Sequence, residues 1–356
     1  MKGTSRYSRQ TNLKSFGAGS QIKLQQSKVL VVGLGGLGIP VAQYLNAMGV
    51  GTLGLVENDA IELHNLQRQV LYTEDMVGKS KLEAGVAYLQ KQNSDTKLKP
   101  FDTYLNRDNA LDIIKGFDVV VDATDNFATR YLVNDACVLL KKPFVYGALH
   151  DFEGQVSVFN YNDGPTYRCL FPDMPEADEI PNCDINGVLG VLPGIIGTLQ
   201  ALEVVKVITG VGDVLSGKLL LYDGLTQSTH KMAFQSRPEN KAIAELQKDY
   251  GFSGCTSHNN VPNEQFEKLF SDGNIQLIDV RSPKEYESFH LQNSRNIPLP
   301  EFKERLDELD HSQAIYLICK SGKRSGIASE LLQKQYPNSN SYTVLGGIDK
   351  MAHLCH

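Results

Sequence analysis

Apolar and polar positions change their period several times along this chain, and each change marks an element. Val29-Leu30-Val31-Val32 is a continuous apolar run, the pattern of a strand buried on both faces. It enters the glycine-rich turn Gly33-Leu34-Gly35-Gly36-Leu37-Gly38, after which residues 40–45 read as a helix. A second strand, 54–57, ends on Glu57. Residues 82–93 predict an amphipathic helix and 97–104 a strand, and the β-branched run 117–122 leads into Asp125-Asn126. The stretch 188–208 is apolar but broken by Pro193, Gln200, Glu203 and Lys206, so it predicts a buried helix and not a membrane span. From 235 to 258 the chain turns polar, with a short helix expected at 241–249. Then the pattern restarts, with a helix at 266–270, strands at 275–281 and 314–318, and a helix at 325–335. Strands alternating with helices predict an α/β protein.

Length and charge sharpen this. A chain of 356 residues is long for one domain, and the polar stretch divides it into 1–234, a linker at 235–259 and a second domain at 260–356. The net charge of −6, without a basic block, argues against a nucleic-acid partner. The N-terminal residues lack the apolar core of a signal peptide, and six cysteines in such a chain point to a reducing cytoplasm. Residues 1–27 are polar and read, on composition, as a solvated arm.

The candidate chemistry begins at the glycine turn. Gly33, Gly35, Gly36 and Gly38 would let backbone N–H groups approach a phosphate, with a helix N-terminus behind them to favour an anion. Glu57 stands where a dinucleotide fold places a carboxylate on a ribose, so an NAD-dependent oxidoreductase is an equal reading at this point. The next residues favour a triphosphate. Asn65 and Arg68, three apart, would share a face if helical, and Lys81 follows; a hydride site has little use for these cations. Gly78-Lys79-Ser80 resembles the end of a phosphate loop, but Thr73 stands where that loop needs glycine. Asp125 and Asn126 lie at the carboxyl end of a strand, where α/β sheets bind ligands and a carboxylate can hold Mg²⁺.

Taken together, GLGGLG, the run Asn65-Leu66-Gln67-Arg68-Gln69, Lys81 and Ala123-Thr124-Asp125-Asn126 resemble the MoeB/ThiF/HesA family, the adenylyltransferases that activate ubiquitin-like sulfur-carrier proteins. The likeness spans about 5–234 and includes 153–159, 167–172 and 187–206. It implies a Rossmann-like nucleotide-binding domain, ATP and Mg²⁺ as cofactors, and a carrier ending in Gly-Gly as partner, in molybdopterin or thiamine synthesis. Gly36 and its neighbours would face ATP, Glu57 the ribose, and Asn65, Arg68 and Lys81 the phosphates, with Asp125 and its Mg²⁺ at the point of attack. Arg9 would reach into the partner subunit's ATP site, which overrides the bland reading of the arm and implies a homodimer. Cys183 matches the cysteine that takes a thioester or acyl-disulfide link to the carrier. Many relatives carry two Cys-x-x-Cys pairs around a structural zinc. Here Thr166 replaces the first cysteine of a pair with Cys169, and Cys255 stands alone near His258, so no structural zinc is expected.

In the second domain Cys319 sits at a strand-to-helix junction within Cys319-Lys320-Ser321-Gly322-Lys323-Arg324. Loop N–H groups, a helix start and nearby cations would stabilise an anionic sulfur there. With 279–286, 296–299 and 345–348, this loop resembles a rhodanese domain, small and α/β, which implies that Cys319 carries a persulfide taken from a persulfide donor. The whole predicts a carrier-protein adenylyltransferase fused to a sulfurtransferase. A non-catalytic scaffold that holds a ubiquitin-like protein is the other alternative.

Overall fold

The computed structural model describes residues 6–175, 187–250, 260–271, 273, 275–320, 322–344, 346–348 and 351. Cys183, Cys255 and His258 lie outside them. The chain divides into two compact units, at Tyr250 and Gly251.

In the first unit one sheet carries eight strands in the order β3-β2-β1-β4-β5-β6-β7-β8. They are β1 (Lys28–Val32), β2 (Thr52–Glu57), β3 (Lys97–Asp102), β4 (Val119–Asp122), β5 (Phe144–His150), β6 (Glu153–Phe159), β7 (Lys218–Asp223) and β8 (Ser228–Ala233). The pairs from β3 to β5 are parallel, and those from β5 to β8 antiparallel. The helices are α1 (Ser8–Thr11), α2 (Gly17–Gln26), α3 (Gly38–Ala47), α4 (Lys81–Gln92), α5 (Ala110–Ile114), α6 (Phe127–Leu139), α7 (Tyr167–Leu170) and α8 (Val191–Thr209).

Val29 to Val32 are buried in the centre of the sheet because β1 is flanked by β2 and β4, which is why its sequence does not alternate. Val32 stands beside Val56 on one side and Asp122 on the other, so β1, β2 and β4 end at one edge. The chain leaves β1 toward β2 and β3 and returns on the other side as β4. That reversal opens the crevice in which such sheets bind ligands.

Helix α8 is the apolar stretch expected to be buried, and it packs on α3, β5 and β6. Its polar residues have internal partners. Gln200 Nε2 donates to the Asp122 and Val145 carbonyls, and Glu203 accepts from the Leu215 N–H. At Gly197 the helix closes on the glycine turn, since a Cβ there would lie 2.4 Å from the Leu37 carbonyl oxygen. Gly210, at φ 77°, terminates it in the left-handed conformation.

Two expectations differ from the structure. Residues 6–27 of the amino-terminal stretch are folded onto the unit. Tyr7 and Leu24 are buried, the Tyr7 hydroxyl takes a hydrogen bond from Asn93 Nδ2 at 2.9 Å, and its ring fills the space beside Gly49. Residues 235–250, expected to be linker with a helix at 241–249, are instead laid on the first unit, with only the 3₁₀ turn Pro238–Lys241. Side-chain anchors replace helical bonds. Leu246 and Tyr250 are buried, and the Tyr250 hydroxyl donates to Asp135, which also holds Arg168 through two bonds of 2.7 and 2.8 Å.

The second unit has an all-parallel five-stranded sheet, β11-β10-β12-β13-β9. Its strands are β9 (Asn260–Val261), β10 (Gln276–Asp279), β11 (Arg295–Asn296), β12 (Ile315–Ile318) and β13 (Ser341–Val344). The helices are α9 (Asn263–Ser271), α10 (Pro283–Ser288), α11 (Leu299–Phe302) and α12 (Lys323–Gln335). Apolar clusters around Ile278, Leu317 and Leu332, and around Phe266, Leu277 and Ile318, cover the two faces of the central strands.

Candidate functional site

The glycine turn is set by contacts that only hydrogen allows. Gly33 lies at φ 91°, and a Cβ there would meet the Ala123 carbonyl oxygen at 2.8 Å. A Cβ on Gly38 would be 1.9 Å from the Gly33 oxygen, so a side chain at that position would push α3 off the turn. Gly36 lies against Pro193 of α8 and the Arg68 side chain, and Gly35 against Gln69.

Glu57 does not leave its carboxylate open. One oxygen accepts the Leu34 N–H of the turn at 2.8 Å, and the other accepts the N–H groups of Asn58 and Asp59, each at 2.9 Å. It therefore braces the turn and keeps little acceptor capacity for a ribose. Asp59, which no sequence motif marks, holds Lys81 at 3.1 Å and accepts the Tyr104 hydroxyl at 2.7 Å. The buried Tyr72 donates to the carbonyls of Leu34 and Lys81, tying the turn to the start of α4. Burial, with the Glu57 and Asp59 charges, pushes the Tyr72 phenol far up, so it stays a donor.

Asn65 and Arg68 lie on one short helical turn, the Arg68 and Gln69 N–H groups both bonding the Asn65 carbonyl, at 3.0 and 2.9 Å. The chain makes a 3₁₀ turn at Leu63–Asn65, and Asn65 is buried, its Oδ1 capping the Glu62 N–H. Arg68 is partly exposed and donates to the His64 carbonyl. Asp125 and Asn126 follow β4 and are exposed, and Asn126 caps α6 by accepting the Thr129 N–H at 2.8 Å. Arg9 lies exposed on α1. The structure thus gathers Gly33, Gly36, Glu57, Arg68, Lys81 and the Ala123–Asn126 loop at the ends of β1, β2 and β4. Gln69 ends the Asn65–Gln69 run but carries no expected role from sequence; it is buried, and its Oε1 has no partner.

The residues at the zinc position form a closed protein contact. Cys169 Sγ accepts N–H groups from Thr166 at 3.4 Å and Arg237 at 3.3 Å and touches the Thr166 hydroxyl. Among the described residues no group of three or more His, Cys, Asp or Glu side chains is arranged to hold a metal.

In the second unit Cys319 follows β12 and is 1% exposed. Its Sγ accepts the Gly322 N–H at 3.1 Å and lies 3.6 Å from the Ser325 hydroxyl. Gly322 adopts φ 97° to turn its N–H inward. Arg324, expected to favour the sulfur, makes a two-bond pair with Glu285, at 2.8 and 2.7 Å. That guanidinium and the Ser282 cap hold the Glu285 carboxyl down at about 2.

Comparison with known proteins matches this geometry. A ThiF family profile fits residues 7–243, and a rhodanese-like domain profile fits 262–353. "Adenylyltransferase and sulfurtransferase MOCS3" of Drosophila persimilis is 39% identical over 372 residues, covering 96% of this chain and 82% of the relative. The protein of that name from Aedes aegypti is 38% identical over 379 residues, covering 98% and 86%. The crystal structure of E. coli MccB with ATP is similar at a TM-score of 0.59 and 26% identity, covering 68% of this chain and 74% of MccB. The chain belongs to the ThiF family and, with its rhodanese-like domain, is an adenylyltransferase joined to a sulfurtransferase.

Proposed function

We propose that this enzyme adenylylates the C-terminal glycine of a ubiquitin-like sulfur-carrier protein and then delivers sulfur to it from a Cys319 persulfide. The observation that carries the reading is the convergence of the glycine turn, Arg68, Lys81 and the Asp125 loop on the β1/β4 crevice. The similar MccB was solved with ATP, which supports ATP as the nucleotide. The carrier carboxylate attacks the α-phosphate, the bond to the β-phosphate breaks, and pyrophosphate leaves. Lys81, released from Asp59, and Arg68 offset the charge that accumulates on the phosphates. The turn's N–H groups and Asn65 orient the nucleotide. The exposed Asp125 carboxylate at a strand end is a donor suited to Mg²⁺, which when bound would neutralise phosphate charge.

The outer sulfur of the Cys319 persulfide then attacks the acyl carbon, and AMP departs with its bonding pair. A thiol, for which Cys183 is the candidate, cleaves the resulting acyl disulfide. The products are the carrier thiocarboxylate and a protein disulfide. Tethering the donor to the adenylylating unit raises its effective concentration near a hydrolysable intermediate. The cytoplasm, reducing toward such thiols, is the compartment we assign.

The deciding experiment is ATP–pyrophosphate exchange with purified Gly-Gly carriers, each tested in turn. Carrier-dependent exchange is expected; exchange that ignores every carrier would overturn the reading. The homodimer belongs to the same proposal, supported by the exposed Arg9 on a pinned helix and by Leu63 and Val70, 66% and 74% exposed beside the site. Arg9→Ala and Asp125→Ala proteins are each expected to be inactive, and exchange of subunits between them should restore part of the activity. No recovery in proven mixed dimers would assign Arg9 to its own subunit or to no role.

A further inference from the structure

A residue that neither the motif nor its spacing marks, yet which bonds the reacting loop, is Arg130 on the first turn of α6. Its guanidinium is buried and bridges two groups. Nε donates to Asp122 Oδ2 at 3.2 Å, and Nη2 donates to the Thr124 carbonyl at 3.1 Å. Asp122 completes the grip from the other side, its Oδ1 accepting the Thr124 N–H at 3.1 Å and the Thr124 hydroxyl at 2.6 Å. Every polar group of Thr124 is therefore held by one buried ion pair. The residue after Asp125 is also fixed, because Asn126 caps α6. Asp125 is the exposed residue between two anchored ones.

The pair is itself held from several directions. The Arg130 guanidinium lies over the rings of Phe127 and Tyr146, 5.4 and 5.1 Å from their centroids. Gln200 of α8 donates to the Asp122 carbonyl at 2.7 Å. A planar fork is needed for this task, since one group must address a carboxylate and a carbonyl along different directions. A lysine keeps the charge and loses the fork.

We propose that Arg130 is a positioning residue for adenylyl transfer: acting through Thr124, it fixes the direction in which Asp125 presents its carboxylate to the phosphates. The proposal rests on the role given to Asp125 above. Breaking the grip leaves the nucleotide's other contacts in place, so the loss falls on the reacting geometry and not on nucleotide affinity. Misplacement of about 1 Å at a reacting centre costs about 10²-fold in rate.

The test is ATP–pyrophosphate exchange by full-length Arg130→Lys, Thr124→Val and Asp125→Ala proteins, with the folded fraction of each measured by circular dichroism. Arg130→Lys should lose about 10²-fold in kcat per folded molecule, with the KM for ATP near that of the unmodified enzyme. Unchanged kcat per folded molecule, or a loss carried by KM alone, would overturn the proposal. If Arg130→Lys does not fold, Thr124→Val decides, because it deletes one bond of the grip and keeps the side-chain shape. Its kcat should fall about tenfold, close to the value of one hydrogen bond to a charged group, and a normal kcat overturns the proposal. Asp125→Ala separates the two failures. Near-normal exchange by that protein would refute the Asp125 role itself, whereas inactive Asp125→Ala beside fully active Arg130→Lys would refute only the positioning.

Discussion

The two units both place a cation from the motif beside a carboxylate, and they do it differently. In the first, Lys81 meets Asp59 through a single 3.1 Å contact, with Asp59 shared by Tyr104. In the second, Arg324 is clamped to Glu285 by two short bonds, and among the described residues an N–H and a hydroxyl face the Cys319 sulfur. The contrast follows the size of the charge to be met. A nucleoside triphosphate brings about four negative charges and needs whole cations, which a single carboxylate contact can release. A sulfur anion carries one charge, and fixed dipoles suffice.

The largest expected effect separates the two chemistries. Cys319→Ala should abolish sulfur transfer from thiosulfate or a persulfide and leave carrier-dependent pyrophosphate exchange at its normal rate. Mass spectrometry of the carrier, looking for oxygen replaced by sulfur at its C-terminus, checks the first part. A full thiocarboxylate yield, with a persulfide donor and no free sulfide, would remove the second unit from the reaction.

Next come the cations of the first unit. Lys81→Ala and Arg68→Ala should each lower exchange by roughly 10²–10³-fold, the usual cost of one electrostatic contact to developing charge. Their thiosulfate sulfurtransferase activity should stay unchanged. If either keeps near-normal exchange, that side chain does not meet the phosphates.

Much of this is legible in the sequence where one short stretch carries the whole device. The apolar run 29–32 with its glycines reads as strand, turn and helix, since the Gly33 and Gly38 contacts are local. What escapes depends on groups far apart in the chain or on which partner a side chain chooses. Gln200 reaches Asp122 from 78 residues away, and Tyr250 reaches Asp135 from 115, so the segment that reads as linker is anchored by a contact no local pattern could reveal. By position Glu57 reads as a ribose ligand, and no local pattern reveals that its carboxylate also reaches back to the Leu34 N–H. Arg324 counts toward the sulfur because it is near in sequence, yet Glu285, 39 residues earlier, takes it.

The smallest expected effect tests whether the Arg324 pair is structural. Glu285 has its carboxyl lowered from 4.5 to about 2, chiefly by the Arg324 hydrogen bonds. A depressed acid stabilises the fold above its unfolded value and loses that contribution as pH falls toward its folded one. Both side chains are partly exposed, at 22% and 34%, so screening limits the pair to about 1 kcal/mol. Glu285→Gln should therefore destabilise the second unit by about that amount near neutrality. The gap to the unmodified protein should close as pH drops from about 4.5 to about 2, because the carboxyl of the latter then becomes protonated too. The chain contains no tryptophan, so Tyr342→Trp, introduced into both full-length proteins, gives a fluorescence signal from the second unit alone during urea unfolding. Sulfur transfer at neutral pH should change little, since the Gly322 N–H and the Ser325 hydroxyl still face the sulfur. A gap that persists to the acid end would show that Glu285 acts through packing and not charge, and a collapse of sulfur transfer in a folded variant would return Arg324 to the sulfur's own surroundings.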